Sequence, residues 1–210
     1  NYNVVLGDEA GTALTTGDGN VAVGFEALAT EDAHGNNTAI GYRALKTLNA
    51  GAVGENTAVG FEAGKAVTTG LNNTIIGGNA GDALTNADDN VAVGRIALTS
   101  DTLGSKSTAI GRSALQAQNF TTATDSKNTA VGFEAGKAVT TGVKNTLIGT
   151  TSGTSLTDAD LNTAVGFDAL ASDTLGSRSV AIGKSTLNAQ NFTTATDTYN
   201  TAVGYHAGLA

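Results

Sequence analysis

The chain has 210 residues, among them 28 glycines but no proline, cysteine, methionine or tryptophan, and carries a formal net charge of −8 at pH 7. An acidic balance with scattered basic residues excludes the clustered Lys and Arg that neutralise nucleic-acid phosphates or grip an anionic membrane surface. Without cysteine there is no disulfide framework, thiolate nucleophile or soft metal site, and no apolar run of about 18 residues is present to span a bilayer.

Length alone allows one or two domains, but a repeated phrase overrides that prior. Its clearest form is Asn56-Thr57-Ala58-Val59-Gly60, and copies begin at Asn3, Asn20, Asn37, Asn56, Asn73, Asn90, Ser107, Asn128, Asn145, Asn162, Ser179 and Asn200. The twelve copies lie 17 to 21 residues apart, a near-constant short period that predicts a solenoid. A larger period sits above this one: residues 56–127 and 128–199 are each built as 17 + 17 + 17 + 21. Residues 3–55 read as the last three coils of a preceding unit with a shorter insert at 49–55. Residues 1–210 are therefore expected to form one repeat domain. The chain opens at the start of one copy and stops part-way through another, which predicts a piece of a longer protein.

Within each copy, position 1 is Asn or Ser, the residue types of corners. Positions 2 to 4 are rich in Thr, Val, Ala and Ile and predict a short strand ended by Gly at position 5. Successive strand residues face opposite sides, so positions 2 and 4 share a face and position 3 takes the other. The sequence-based assignment puts position 4 inside the coil, as a stacked core of Val23, Ile40, Val59, Ile76, Val93, Ile110, Val131, Ile148, Val165, Ile182 and Val203. The glycines that follow (Gly24, Gly41, Gly60, Gly77, Gly94, Gly111, Gly132, Gly149, Gly166, Gly183 and Gly204) call for either a positive φ or an approach too close for a Cβ. A second large apolar residue falls at position 9 (Leu28, Leu45, Leu98, Leu115, Leu170, Leu187) or, where position 9 is Gly, at position 12 (Leu14, Val67, Leu84, Val139, Leu156), two solutions to filling one space.

Chemistry-bearing motifs are sparse. His34 and His206 lie ten coils apart, about 48 Å at the ladder spacing, so they cannot share a site within one chain. No Ser-His-Asp arrangement or phosphate loop is present, and no enzyme activity is expected. The nearest metal motif is Asp158-Ala-Asp160-Leu-Asn162, whose alternating oxygens are a weak calcium candidate; no other cofactor is expected. A Thr column at position 2 resembles an ice-binding pattern, but falls on the face assigned to the core. Aromatics at position 6 (Phe25, Tyr42, Phe61, Phe133, Phe167, Tyr205) predict a packing ladder between coils or chains, with a sugar platform as the alternative. The ligand candidates are Asn119, Phe120, Thr121, Asn191, Phe192 and Thr193, because each triplet lies in a polar insertion expected to bulge from the rod; a structural tuck of each Phe under its loop is at least as strong a reading.

The phrase Asn-Thr-Ala-Val-Gly, with Ser-Val-Ala-Ile-Gly at 179–183, resembles the head repeats of YadA-like trimeric autotransporter adhesins and similar repeats in bacteriophage tail fibres. The resemblance covers essentially the whole chain. It implies an all-β, parallel β-solenoid, a left-handed β-roll of about twelve coils, assembled as a side-by-side homotrimer. The family's coils are about 14 or 15 residues, against 17 to 21 here, so a larger outer turn is expected. The residues themselves favour an oligomer, since a thin core is marginal without reinforcement and the Ala column at position 3 would let chains approach closely. The function implied is adhesion: an extracellular fibre at a bacterial cell surface or on a virion, attaching to a host-surface glycan or protein receptor. Neither nucleic acid nor membrane insertion of this segment is expected. A passive rigid spacer and an ice-binding solenoid are the alternatives.

Overall fold

The computed structural model describes residues 2–209, and these form a parallel β-solenoid without helix. Twelve three-residue strands (Val4–Leu6, Val21–Val23, Thr38–Ile40, Thr57–Val59, Thr74–Ile76, Val91–Val93, Thr108–Ile110, Thr129–Val131, Thr146–Ile148, Thr163–Val165, Val180–Ile182 and Thr201–Val203) occupy positions 2 to 4 of the twelve copies. They pair in chain order into one twelve-stranded sheet. The register is like on like: Thr57 pairs with Thr74, Ala58 with Ile75 and Val59 with Ile76. In-register stacking is what a period repeated through the sequence dictates, because each coil then repeats its neighbour's hydrogen bonds.

The face of that sheet is the reverse of the sequence-based assignment. Position 3 points inward: Ala22, Ala39, Ala58, Ile75, Ala92, Ala109, Ala130, Leu147, Ala164 and Ala181 are all fully buried. Position 4 points outward, so Val23, Ile40, Val59, Ile76, Val93, Ile110, Val131, Ile148, Val165, Ile182 and Val203 are not the core. The isoleucines among them are 38–39% exposed. The reason is volume. The opposite wall sends in Ala at position 8 together with Leu at position 9 or Leu/Val at position 12, all buried at 28, 45, 98, 115 and 170 and at 67, 84, 139 and 156. A thin coil with a leucine at position 9 has room across from it only for a methyl group. The exceptions support this account. Ile75 and Leu147 stand inside where their neighbours carry Gly at position 9: a Cβ on Gly64 would lie 2.9 Å from Ile75, and one on Gly136 or Gly153 2.7 Å from Leu147.

Position 1 is also inside. Asn20, Asn37, Asn56, Asn73, Asn90, Asn128, Asn145 and Asn162 are buried and form a ladder through the wall. Each Oδ1 accepts the backbone N–H of the next coil's position 1, as Asn145 Oδ1 does from Asn162 at 3.0 Å. All but one send Nδ2 to a carbonyl further round their own coil, such as Asn145 to Ala159 at 2.7 Å, while Asn37 Nδ2 donates to the Gly35 carbonyl just before it at 3.2 Å. These bonds satisfy backbone groups that have no water inside the coil.

The invariant glycine at position 5 meets both expected demands. Gly149 has φ +129°, and a Cβ there would lie 2.5 Å from the Gly166 carbonyl oxygen. The same crowding repeats up the column to Gly183. Every position 7 residue is also left-handed, including Ile96 (φ 53°) and Thr151 (φ 56°). The side chains at that position are too varied to have signalled it.

Candidate functional site

Two surfaces present residues that could meet a partner: the outer sheet face and the inserts. On the outer face the position 4 column alternates strictly between Val and Ile from Val23 to Val203. Thr or Val at position 2 runs beside it, also outward and part-exposed, which corrects its placement on a core face. The strip is flanked by the position 6 residues. Phe25, Tyr42 and Phe61 stack coil upon coil, with ring centroids 5.4 and 5.2 Å apart, the ladder expected from the spacing. Cations lie beside several of the rings, within this stack and beyond it. Arg43 lies 4.9 Å from the Tyr42 ring centroid, Arg112 5.4 Å from that of Phe133, and Lys184 5.8 and 5.5 Å from those of Phe167 and Tyr205.

Next to the aromatics runs a small charge network. Glu26 accepts from Lys46 at 2.9 Å and from Arg43, which also approaches Glu62. Lys46 first and Arg43 second hold the Glu26 carboxyl below the usual glutamate value, and Glu26 in turn raises Arg43. Exposed pairs of this kind contribute little stability; they fix the order of charges along the rim of the strip.

The inserts do not display their aromatic residues. Phe120 is buried, tucked under its loop, where its backbone N–H donates to Asp101 Oδ1 at 3.0 Å and its carbonyl accepts from Thr102 Oγ1 at 2.8 Å. Phe192 makes the same bonds with Asp173 and Thr174 and is half-buried. Phe120 thus takes the tucked arrangement and is removed from the exposed candidates, while Phe192 stays part-exposed. Only Asn119, Thr121, Asn191 and Thr193 of the six candidates are exposed, and the Asn119 and Asn191 side chains already accept from Thr102 and Thr174.

Sequence inspection missed the device that holds these inserts. Asp101 and Asp173 are buried carboxylates in the coils just before the 21-residue coils. Each accepts the N–H of its own Gly104 or Gly176, the insert's Phe N–H, and the amide of Gln118 or Gln190. Past the clamp, Gly104–Ser105 pairs with Thr124–Asp125, and Gly176–Ser177 with Thr196–Asp197, as two short parallel ladders. A faint signal existed: position 12 is aliphatic where position 9 is Gly, but acidic at Glu31, Asp101 and Asp173, each one coil before an insertion.

The calcium candidate loses a ligand. Asn162 belongs to the buried ladder, its Oδ1 bonded to Ser179 N–H and its Nδ2 to the Gly176 carbonyl. Asp160 accepts from Val143 N–H at 2.7 Å and Asp158 from Thr141 Oγ1 at 2.6 Å. The three side chains are thus engaged with neighbouring coils. His206 stacks on Tyr205, with ring centroids 4.0 Å apart. A cavity of about 620 Å³ lies on the last described coil, lined by Leu187, Gln190, Phe192 and Ala202 among others. Among the described residues no helix is long and apolar enough to cross a membrane. Comparison with family models, with curated proteins and with solved structures finds no match.

Proposed function

We propose that this chain is a non-catalytic attachment segment of an extracellular fibre, assembled as a side-by-side homotrimer of left-handed β-rolls. The observation that supports this reading best is the outward Val/Ile column, an unbroken apolar line along twelve in-register strands. At the ladder spacing the strip is roughly 55 Å long and about 10 Å wide, or roughly 500 Å². That is at the upper end of what monomers leave exposed, and its straightness suits a partner of equal pitch, which another copy supplies. Packing about a three-fold axis parallel to the rod sets each coil against the same coil of its neighbours, so Val meets Val and Ile meets Ile. The roles of the columns are exchanged relative to the sequence-based expectation: the β-branched strip, not the alanine strip, is the face that association covers.

The fibre's work is to hold a stiff rod and present its rim and inserts to a host-surface glycan or protein receptor, at a bacterial cell surface or on a virion. Three-fold display converts weak contacts into avidity. Sedimentation of the intact chain tests the assembly: the expected mass is three times 20.8 kDa, and a monomer refutes it. Deleting 119–124 and 191–196 tests the inserts, with loss of cell or glycan binding expected; undiminished binding assigns recognition elsewhere on the rod.

A specific observation favours one other reading. Thr at position 2 and Val/Ile at position 4 both face outward on a regular sheet, the arrangement by which a solenoid can bind ice. The two readings need the same face and exclude each other. A monomer with thermal hysteresis selects the ice reading, and a trimer without it the fibre.

A further inference from the structure

The repeats provide an internal comparison at one corner of the rod. Glu31, Asp101 and Asp173 each stand eleven residues after their ladder Asn or the equivalent, and all three are fully buried. Asp101 and Asp173 have three donors apiece, two backbone N–H groups and a glutamine amide. Glu31 has only two hydrogen bonds, from the N–H of His34 and the N–H of Ala50. The glutamine's place is taken by Leu48, so one buried carboxylate is short of a partner, an arrangement that costs free energy unless something positive meets it.

What has changed around it is informative. His34 stands where the other corners have Gly104 and Gly176. At Gly104 no side chain fits, because a Cβ would lie 2.2 Å from Asp101 Oδ2 and 2.7 Å from the Phe120 ring. In the earlier coil the insert residue clamped by the carboxylate is Ala50, and the imidazole has the room the phenyl ring occupies elsewhere. His34 Nδ1 is buried and without a hydrogen-bond partner, 3.5 Å from Glu31 Oε1. Asp32 adds a second, exposed carboxylate, and the ligand atoms of the three residues lie within 4.8 Å of one another.

We propose that Glu31, Asp32 and His34 bind a divalent transition-metal cation of the Zn²⁺ class. An imidazole nitrogen with two carboxylates matches the donor preferences of such ions. Ca²⁺ and Mg²⁺ are disfavoured, since they seek six or more oxygen ligands or a largely hydrated shell. The bound ion supplies the charge that Glu31 lacks and occupies the orphan Nδ1. Through the Glu31–Ala50 hydrogen bond it also ties the 49–55 insert to the coil beneath. The site stands apart from the outer sheet face and does not depend on the fibre reading.

Calorimetric titration of Zn²⁺, Ca²⁺ and Mg²⁺ into the metal-stripped intact chain near neutral pH is the test. The expected result is one Zn²⁺ per chain, no Ca²⁺ or Mg²⁺ heat at the same concentration, and a shift of the His34 imidazole resonances on titration. Asp32→Asn should weaken Zn²⁺ by at least about tenfold. The paired replacement His34→Gly with Ala50→Phe rebuilds the corner found at Gly104 and Phe120, so it should fold as the parent does and lose the ion. No Zn²⁺ uptake by the parent chain, or equal uptake by the paired variant, overturns the assignment.

Discussion

Replacing Asn145 by Ala tests the account of the coil wall most directly. Asn145 is fully buried, and its side chain accepts from Asn162 N–H at 3.0 Å and donates to the Ala159 carbonyl at 2.7 Å. Alanine leaves both backbone groups inside the wall with neither partner nor water. Each stranded group costs about 1–3 kcal/mol, so a loss of about 4 kcal/mol is expected. For a chain of this length that corresponds to roughly 8–16 °C in the unfolding midpoint. Asn145→Asp should cost at least as much, because it keeps the acceptor but sets a carboxylate against the Ala159 carbonyl. Thr146→Ala, one residue on and facing outward, is the control and should stay within about 0.5 kcal/mol. The assay is urea and thermal unfolding followed by far-ultraviolet circular dichroism. A loss under about 1 kcal/mol for Asn145→Ala would show that the ladder is incidental and that the stack is held by apolar packing alone.

Other expectations follow from the same geometry. Val131→Asp and Ile148→Asp together should leave the coil folded, since both side chains face outward, while converting a trimer to monomers; unfolding of the isolated chain would return position 4 to the core. Gly149→Ala should destabilise by more than about 3 kcal/mol, because φ is +129° and the Gly166 carbonyl lies 2.5 Å from the new Cβ; a stable variant would mean the column tolerates a shift between coils. Phe120→Ala should cost about 3–5 kcal/mol, as for a core aromatic, and loosen hydrogen exchange across Thr124–Asp125; unchanged stability with lost receptor binding would restore Phe120 as a contact residue. Lys106 holds the Asp125 carboxyl below its ordinary value of 3.8. Its stabilisation is therefore present above that value and lost as pH falls through the lower folded one. Lower protection of the Ser126 amide, relative to its intrinsic exchange rate, is expected there, as also at high salt, and an unchanged protection factor would remove the pair from the insert's support.

How far the chain was legible before folding depends on which question is asked of Thr57-Ala58-Val59. That it is a strand, that it stacks on Thr74-Ile75-Ile76 in register, and that Gly60 must follow were all determined by the period and by backbone stereochemistry, which are local. The sharing of a face by positions 2 and 4 was equally determined, because side chains alternate along any strand. Which face looks inward was not, since alternation is symmetrical and Val59 is by itself the better core residue. That choice was made by the opposite wall, where Leu45, Leu98 and Leu115 take the volume and leave a methyl-sized space. The inserts repeat the lesson. Their position was plain from the 21-residue spacing, but the burial of Phe120 rests on Asp101, nineteen residues earlier, and a carboxylate's burial is a property of the stack and not of the residue. Periodicity announces a solenoid because stacking is a relation between like and like; inside and outside are decided by unlike residues facing each other across the coil, and only the closed turn brings them together.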